Sequence, residues 1–289
     1  YPMAISLGFP GYYANVGSIV NRGFDITLGA DIVTTRDWRW NVTVMGSTLK
    51  NKVLKLTGNG EDIVNGVYII REGQEINTFY MSKSAGVDPT TGEQLYWAYE
   101  KNADGSMKPG SEYVTNDATV AASCKSLQGS RIPDIYGSIS SSLKFRGFDL
   151  GLLFTYSLGG KIYDSIYNAL MEPSFVGQTY HRNALRTWTA PGQRTDVPRT
   201  TTTASTQITD RYLIEASYFA VKNISLGYSL PKQLLGKVGI ESLRIYLAAD
   251  SPWIFTHLKG MNPQASFTGS TSYSYTPNRT FTLGVDLKF

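Results

Sequence analysis

Cysteine is almost missing from this 289-residue chain. Cys124 stands alone, which excludes an internal disulfide framework and a cysteine-rich metal site and leaves a single inert loop thiol. Histidine is nearly as scarce: His181 and His257 are far apart, so a nucleophile–histidine–carboxylate relay or a histidine-built metal centre has little to draw on. Charged residues make up 17%, below the roughly 25% of an average domain. The net charge of +4 is scattered, and without a basic run the chain is not expected to bind nucleic acid. Long apolar runs are absent as well. Leu95–Tyr99 and Ile245–Ala249, the longest, have five residues each, against the roughly twenty that a membrane-spanning helix needs. The opening Tyr1–Tyr13 has neither a charged n-region nor a continuous apolar h-region, so no export signal is expected within it.

What the chain does have is apolar and aromatic surface in strict order. Hydrophobic residues reach 42% and aromatics 12%, with nineteen tyrosines, which is too much for a disordered chain. Alternation with a period of two is the dominant pattern, and it predicts β-strands. Phe148, Leu150, Leu152, Phe154 and Tyr156 share one face, opposite Asp149, Gly151, Leu153, Thr155 and Ser157. Phe24–Ile32 and Phe281–Phe289 repeat the design, and Trp38–Ser47, Ile135–Phe145, Phe219–Leu230 and Leu243–Asp250 follow it less strictly. Near Lys222 the alternation slips, and a β-bulge at Val221 or Lys222 restores its phase.

Links between these segments are of two kinds. Thr35–Asp37, Arg146–Gly147 and Pro231–Gly239 are short, and the last has room for one helical turn. Residues 51–133 and 159–211 are long; they carry turn clusters, a hairpin expected from Thr78–Ser84 with Glu93–Tyr99, and short helices expected at Tyr163–Met171 and Tyr180–Thr187. Short turns at one rim and long loops at the other are the habit of outer-membrane barrels. The polar face supports the same conclusion, because Gly, Ser, Thr, Asp and Asn dominate it where a water-facing surface favours Lys and Glu. The apolar face therefore reads as lipid-facing, and strands in lipid must close into a barrel. Trp38, Trp40, Phe145, Phe148, Tyr228 and Phe289 lie beside the short turns or the terminus, as an interfacial girdle would. Seven strands cannot close such a barrel, so residues 1–289 are expected to be its C-terminal portion, with the remaining strands elsewhere. The competing arrangement is a secreted β-sandwich carbohydrate-binding module.

Several segments also carry a family resemblance. Asn15–Asp25, Gly86-Val-Asp-Pro-Thr-Thr-Gly92, Ser217–Tyr228 and Leu283–Phe289 occur in the order found in SusC/RagA-type TonB-dependent outer-membrane transporters, and together they resemble that family over nearly the whole chain. Asp250-Ser-Pro-Trp253 and Ala220 depart from its usual pattern. The resemblance implies a 22-stranded transmembrane antiparallel barrel with long extracellular loops in the outer membrane. It further implies an N-terminal plug that is absent from these residues, contact with TonB through that plug, and a SusD-like surface lipoprotein as partner. The activity implied is import of glycan oligomers or peptides, without enzymatic chemistry or a cofactor. Phe289 resembles the terminal aromatic that serves as the assembly signal.

Candidate site residues follow from the two faces. Asp25, Asp31, Arg39, Asp149, Arg244, Asp286 and Lys288 fall on the polar face and are expected to look into the lumen, against a plug or a transport path. Tyr80, Tyr96, Trp97, Tyr180 and Trp188 lie in the long links, where flat rings suit stacking on sugars or peptide side chains. Glu61-Asp62 and Glu93 offer a carboxylate pair of the kind used in sugar hydrolysis, a weak signal because loop carboxylates are common, and Gly159-Gly160 lacks the rest of a phosphate-cradling motif.

Overall fold

A computed structural model describes residue 8 and residues 17–56, 60–171, 179–200, 207–235, 239–257, 262–265, 269–271 and 278–289. Sixteen strands follow in chain order: β1 (Gly17–Thr34), β2 (Trp38–Leu56), β3 (Ile63–Asn65), β4 (Tyr68–Ile70), β5 (Thr78–Met81), β6 (Lys83–Val87), β7 (Gln94–Ala98), β8 (Tyr113–Thr115), β9 (Ser126–Ser130), β10 (Ile135–Phe145), β11 (Phe148–Leu158), β12 (Lys161–Tyr163), β13 (Leu213–Glu215), β14 (Tyr218–Ser229), β15 (Ser242–Thr256) and β16 (Thr280–Lys288). Short helices interrupt them at α1 (Ala118–Ser123), α2 (Ser165–Met171) and α3 (Lys232–Leu235).

Seven long strands form one antiparallel sheet in the order β1-β2-β10-β11-β14-β15-β16. Each neighbour is the next long strand along the chain, so the sheet is an up-and-down meander. It is open, with one unpaired edge on β1 and one on β16 among the described residues. All seven expected strands are present; β1, β2 and β15 run well past the bounds that alternation gave them. The main extra lengths are Gly17–Gly23, Thr48–Leu56 and Ser251–Thr256, where the two-residue pattern fades before the ladder ends.

Register aligns the apolar faces. Leu143, Leu150, Leu226, Leu247 and Leu283 stand opposite one another across five strands and make a continuous row of leucines. The adjacent row beside the short turns is aromatic: Trp38, Phe145, Phe148 and Tyr228 are successive cross-strand partners. Trp38 and Phe145 stack with ring centroids 4.0 Å apart, and Phe148 and Tyr228 lie 4.4 Å apart. Towards the other end of the strands Phe154, Tyr156, Phe219 and Phe255 form a second aromatic zone. From Phe148 to Tyr156 the strand rises roughly 27 Å at about 3.4 Å per residue. At a barrel tilt of about 40° that is roughly 20 Å of height, near the about 25 Å apolar band of outer-membrane barrels.

This face is open. Ile26 is 58%, Leu247 57% and Leu283 70% exposed, and no second sheet covers them. A β-sandwich would have buried these side chains against a facing layer, so the sandwich alternative is not supported. No helix of the described residues is long and apolar enough to cross a membrane, which leaves strand-based crossing untouched.

Two local devices shape the sheet. Lys222 is the extra residue of a bulge: Phe154 pairs with Val221 and Leu153 with Asn223, while on the other side Ser251 and Pro252 are looped out, Ser251 with φ of 49°. The bulge returns Phe219 and Val221 to the side of Ile224, Leu226 and Tyr228, as the phase slip requires. On the apolar side Gly137 and Gly46 form a notch under Tyr156, whose hydroxyl donates to the Met45 carbonyl at 2.9 Å. A Cβ at Gly137 would meet that carbonyl and the tyrosine hydroxyl at contact distances no side chain tolerates.

The three long connections all leave the same end of the sheet and interlock there. A small core of Phe79, Met81, Tyr163, Met171, Val197 and Tyr212 draws on two of them. Four-stranded β3-β4-β5-β9, which supplies Phe79 and Met81, and three-stranded β6-β7-β8 sheets are both built from the first connection. The third connection joins through the Tyr163–Ser270 bridge and through Arg131, whose guanidinium donates to the Pro263 carbonyl at 3.0 Å. The hairpin expected from Thr78–Ser84 with Glu93–Tyr99 is shifted: β6 pairs with β7, while Thr78–Met81 belongs to β5 and pairs with β4 and β9. Ser82 separates the two, buried and donating to the Ala121 carbonyl at 2.9 Å. The helix expected at Tyr180–Thr187 is a 3-10 turn, Arg182–Arg186, capped by His181. Asn15, Val16 and residues 236–238 lie outside the described residues.

Candidate functional site

The polar face of the seven-stranded sheet carries a row of charge near the short turns. Arg39, Lys144 and Asp149 are successive cross-strand partners on β2, β10 and β11, and Gly227 follows on β14. Arg244 on β15 reaches back across Gly227. It donates to Asp149 through Nε at 3.0 Å and Nη2 at 2.6 Å, and through Nη1 to Asp286 at 3.2 Å. Glycine is required beneath it, since a Cβ at Gly227 would stand 2.6 Å from Nη2 and 2.7 Å from the Asp149 carboxylate. Tyr246 supports the guanidinium from the same strand, 4.9 Å from ring centroid to charge centre, and lies in turn over Gly284 on β16. Three strands are thus clamped on the polar side by one arginine.

The other polar-face candidates are distributed. Asp31 accepts from Asn41 Nδ2 at 3.1 Å, and Lys288 pairs with Glu241 at 2.7 Å. Asp25 faces Ser47 and Arg39 faces Lys144 and Thr34. Sequence reasoning missed the Asn223–Asp250 pair at 2.7 Å and the bond from Lys222 Nζ to Gln264 at 2.7 Å. The alternation of Asn223 with Ser225 and Gly227 was the signal for the first; nothing local announces the second, which spans a long connection.

Removing the clamp has a measurable cost. With Arg244→Gln, Asp149 loses its only ion-pair partner among the described residues while remaining mostly covered, and the assembled protein is expected to lose about 1–2 kcal/mol in a urea titration, a figure reduced for partial exposure. In a double-mutant cycle with Asp149→Asn the coupling is expected near 1 kcal/mol, and zero coupling would refute the clamp.

The aromatic candidates do not share one role. Tyr96 is 2% exposed, and its hydroxyl accepts from the Gln207 N–H at 3.2 Å; a ring so enclosed offers no face to a ligand. Trp188 is half-buried, donating to the Pro89 carbonyl at 3.0 Å with its ring against Gly92. That contact explains the Asp-Pro-Thr-Thr-Gly segment. Asp88 accepts from the Thr90 N–H at 2.7 Å and from the Thr91 hydroxyl at 3.1 Å, bonds that hold its carboxyl below the usual carboxylate range. Gly92 takes φ of 74° under the indole. Tyr80 is half-buried under the Arg71 guanidinium, 5.5 Å from its ring, and Tyr180 is half-buried. Trp97 is the candidate left exposed, at 40%.

Among the connections, an open cavity of about 670 Å³ is lined by Gly86, Arg186, Gln193, Arg194, Thr195 and Asp196. Phe289 follows β16 and is exposed. Among the described residues no group of three His, Cys, Asp or Glu stands together.

No protein-family model matches the chain. Individual proteins do. TonB-dependent receptor P3 of Formosa agariphila is 27% identical over 312 aligned residues, covering 100% of this chain and 30% of that protein. TonB-dependent receptor SusC of Bacteroides thetaiotaomicron is 24% identical, covering 95% of this chain and 27% of its own length. A solved structure of the RagAB peptide transporter superposes on 100% of this chain and 31% of its own, with a TM-score of 0.85 and 27% identity. The chain is related to the SusC/RagA-type TonB-dependent transporters. It spans about 30% of the length of these relatives. The SusC/RagA-type likeness covers the open sheet and the interlocked connections together, so both parts of the fold have counterparts in one known architecture.

Proposed function

We propose that residues 1–289 form the C-terminal portion of an outer-membrane β-barrel of the SusC/RagA type, and that the complete transporter imports glycan oligomers or peptides. The observation that carries this reading is the apolar face itself: leucine and aromatic rows run in register across the sheet and remain uncovered, as lipid-facing strands must. In this reading the remaining strands close the barrel from β1 and β16 into 22, and the preceding plug fills the lumen beside Asp25, Asp31, Arg39, Asp149, Arg244, Asp286 and Lys288. TonB acts through that plug, and a SusD-like lipoprotein closes over the interlocked connections, which lie outside the cell. Trp97, with Tyr80, Tyr180 and Trp188 at the half-buried positions, offers ring surface to cargo. Phe289 is the assembly signal.

Fractionation and uptake test the proposal together. The transporter carrying this chain is expected in the outer membrane, released only by detergent. A strain lacking it is expected to lose uptake of labelled peptides or of labelled oligosaccharides, regained on complementation. Recovery of the protein in the aqueous fraction refutes the barrel; unchanged uptake of both cargo classes refutes the import role.

A further inference from the structure

The polar face is covered over part of its width. The cross-strand row Thr27, Met45, Ser138, Thr155, Ala220 and Ile254 crosses that face from β1 to β15. Its β2 member Met45 is 46% exposed, whereas Ala220 on β14 is 3% exposed. In the next row towards the long connections the same change occurs, from exposed Asp25 and Tyr136 to buried Ser157. Pro252 on β15 is buried as well. The apolar side of these strands stays open at the same height, with Phe219, Trp253 and Phe255 exposed.

Residues of the third connection lie over the covered part. Gln264 is bonded to the sheet there: its Oε1 accepts from Lys222 Nζ at 2.7 Å, and its Nε2 donates to the Thr155 hydroxyl at 3.4 Å. Pro263 beside it is buried, and its carbonyl accepts from Arg131. Farther along, the Thr271 N–H donates to the Tyr163 carbonyl at 3.1 Å and the Thr271 hydroxyl to Asp164 at 3.1 Å. A connection turned outward would leave Ser157 and Ala220 exposed and would make none of these bonds.

We infer that Pro263–Ala265 is a fixed shelf folded inward over the polar face of β11, β14 and β15, and that Lys222 and Gln264, by holding it there, limit the size of solute that passes along that wall. Both are positioning residues, since the shelf itself does the excluding. An ammonium donating to an amide oxygen holds it more firmly than a neutral contact would. The inference rests on the barrel reading, in which the polar face borders the transport path; it adds a constriction and the residues that fix its width.

Size-graded thiol labelling of intact cells tests this in the complete transporter. Leu153, exposed on the polar face next to Thr155 on its short-turn side, is replaced by cysteine as a reporter beneath the shelf; Thr27→Cys, in the row of Thr155 but on β1, is the control outside it. Cys124 is buried, and the protein without a reporter gives its background. A small methanethiosulfonate is expected to label both reporters, and a maleimide on a polyethylene glycol chain to label Thr27→Cys while sparing Leu153→Cys. Adding Lys222→Met is expected to speed bulky labelling of Leu153→Cys roughly tenfold or more, the population change that losing one charge-assisted bond permits. The small reagent and the Thr27→Cys control are expected to be unaffected, and Lys222→Arg, which can still donate to Gln264, to keep the parent pattern. The inference is overturned if the bulky reagent treats the two reporters alike in the parent, if Leu153→Cys resists the small reagent too, or if Lys222→Met accelerates both reporters or neither. A protein missing from the outer membrane refutes the barrel reading instead.

Discussion

Leu152→Arg is expected to stop assembly of the protein into membranes, while Leu153→Arg, one residue on, leaves assembly nearly intact. The two leucines are chain neighbours of identical chemistry on opposite faces of β11. Leu152 pairs with Ser141 and Ile224 on the apolar side; Leu153 pairs with Ser140 and Asn223 on the polar side. Leu152 also lies midway between Phe148 and Tyr156, the two aromatic zones, and so at the middle of the apolar band. An arginine facing lipid at that depth costs roughly 2–4 kcal/mol. At about 1.4 kcal/mol per tenfold, the assembled fraction at equilibrium falls roughly 30- to 700-fold. The polar-face arginine meets Asn223 and water and costs within about 0.5 kcal/mol. Heat-modifiable migration of the membrane fraction on gels reads both. Equal behaviour of the two variants would mean that the faces meet similar surroundings, and the lipid assignment would fall.

The seven strands were legible because bilayer-type patterning is a local signal: Phe148 to Ser157 shows its two faces without reference to any other segment. Even the bulge at Lys222 could be read, since an unbroken ladder would put Tyr218, Ala220 and Lys222 on one face with the apolar Ile224. Pairing of leucine with leucine across five strands could not be read, because register depends on where each short turn begins and on the bulge. The clamp was half visible. Asp149, Arg244 and Asp286 each announced a polar-face charge, but the step across Gly227 that joins them exists only once β14 lies between β11 and β15. The connections were the least legible part. Ser82, placed by sequence inside one hairpin strand, is the point where β5 ends and β6 begins, fixed by a bond to α1 that no periodicity encodes. Tyr96 shows the same limit. Its ring resembled a platform for cargo, but it belongs to the interior of the packed connections.

Those connections carry the other large effect. Phe79 is fully buried at the centre of their core, 5.0 Å from the Tyr68 ring and packed with Met81, Tyr163, Met171, Val197 and Tyr212. Truncating a phenylalanine in such a site costs about 3–5 kcal/mol through lost transfer energy and the cavity left behind. No residue of the seven-stranded ladder depends on that core for its cross-strand partners, so Phe79→Ala is expected to loosen the connections while the sheet remains assembled in the membrane. Limited proteolysis of whole cells should then cut within residues 179–200 at least tenfold faster than in the parent, with unchanged heat-modifiable migration. Uptake is expected to fall with the loss of order, because Trp97 on β7 and Trp188 against Gly92 are positioned by the same packed unit. If cleavage accelerates while uptake is untouched, cargo is captured elsewhere. If assembly fails along with the connections, the core is part of what builds the barrel, not a separate unit resting on its rim.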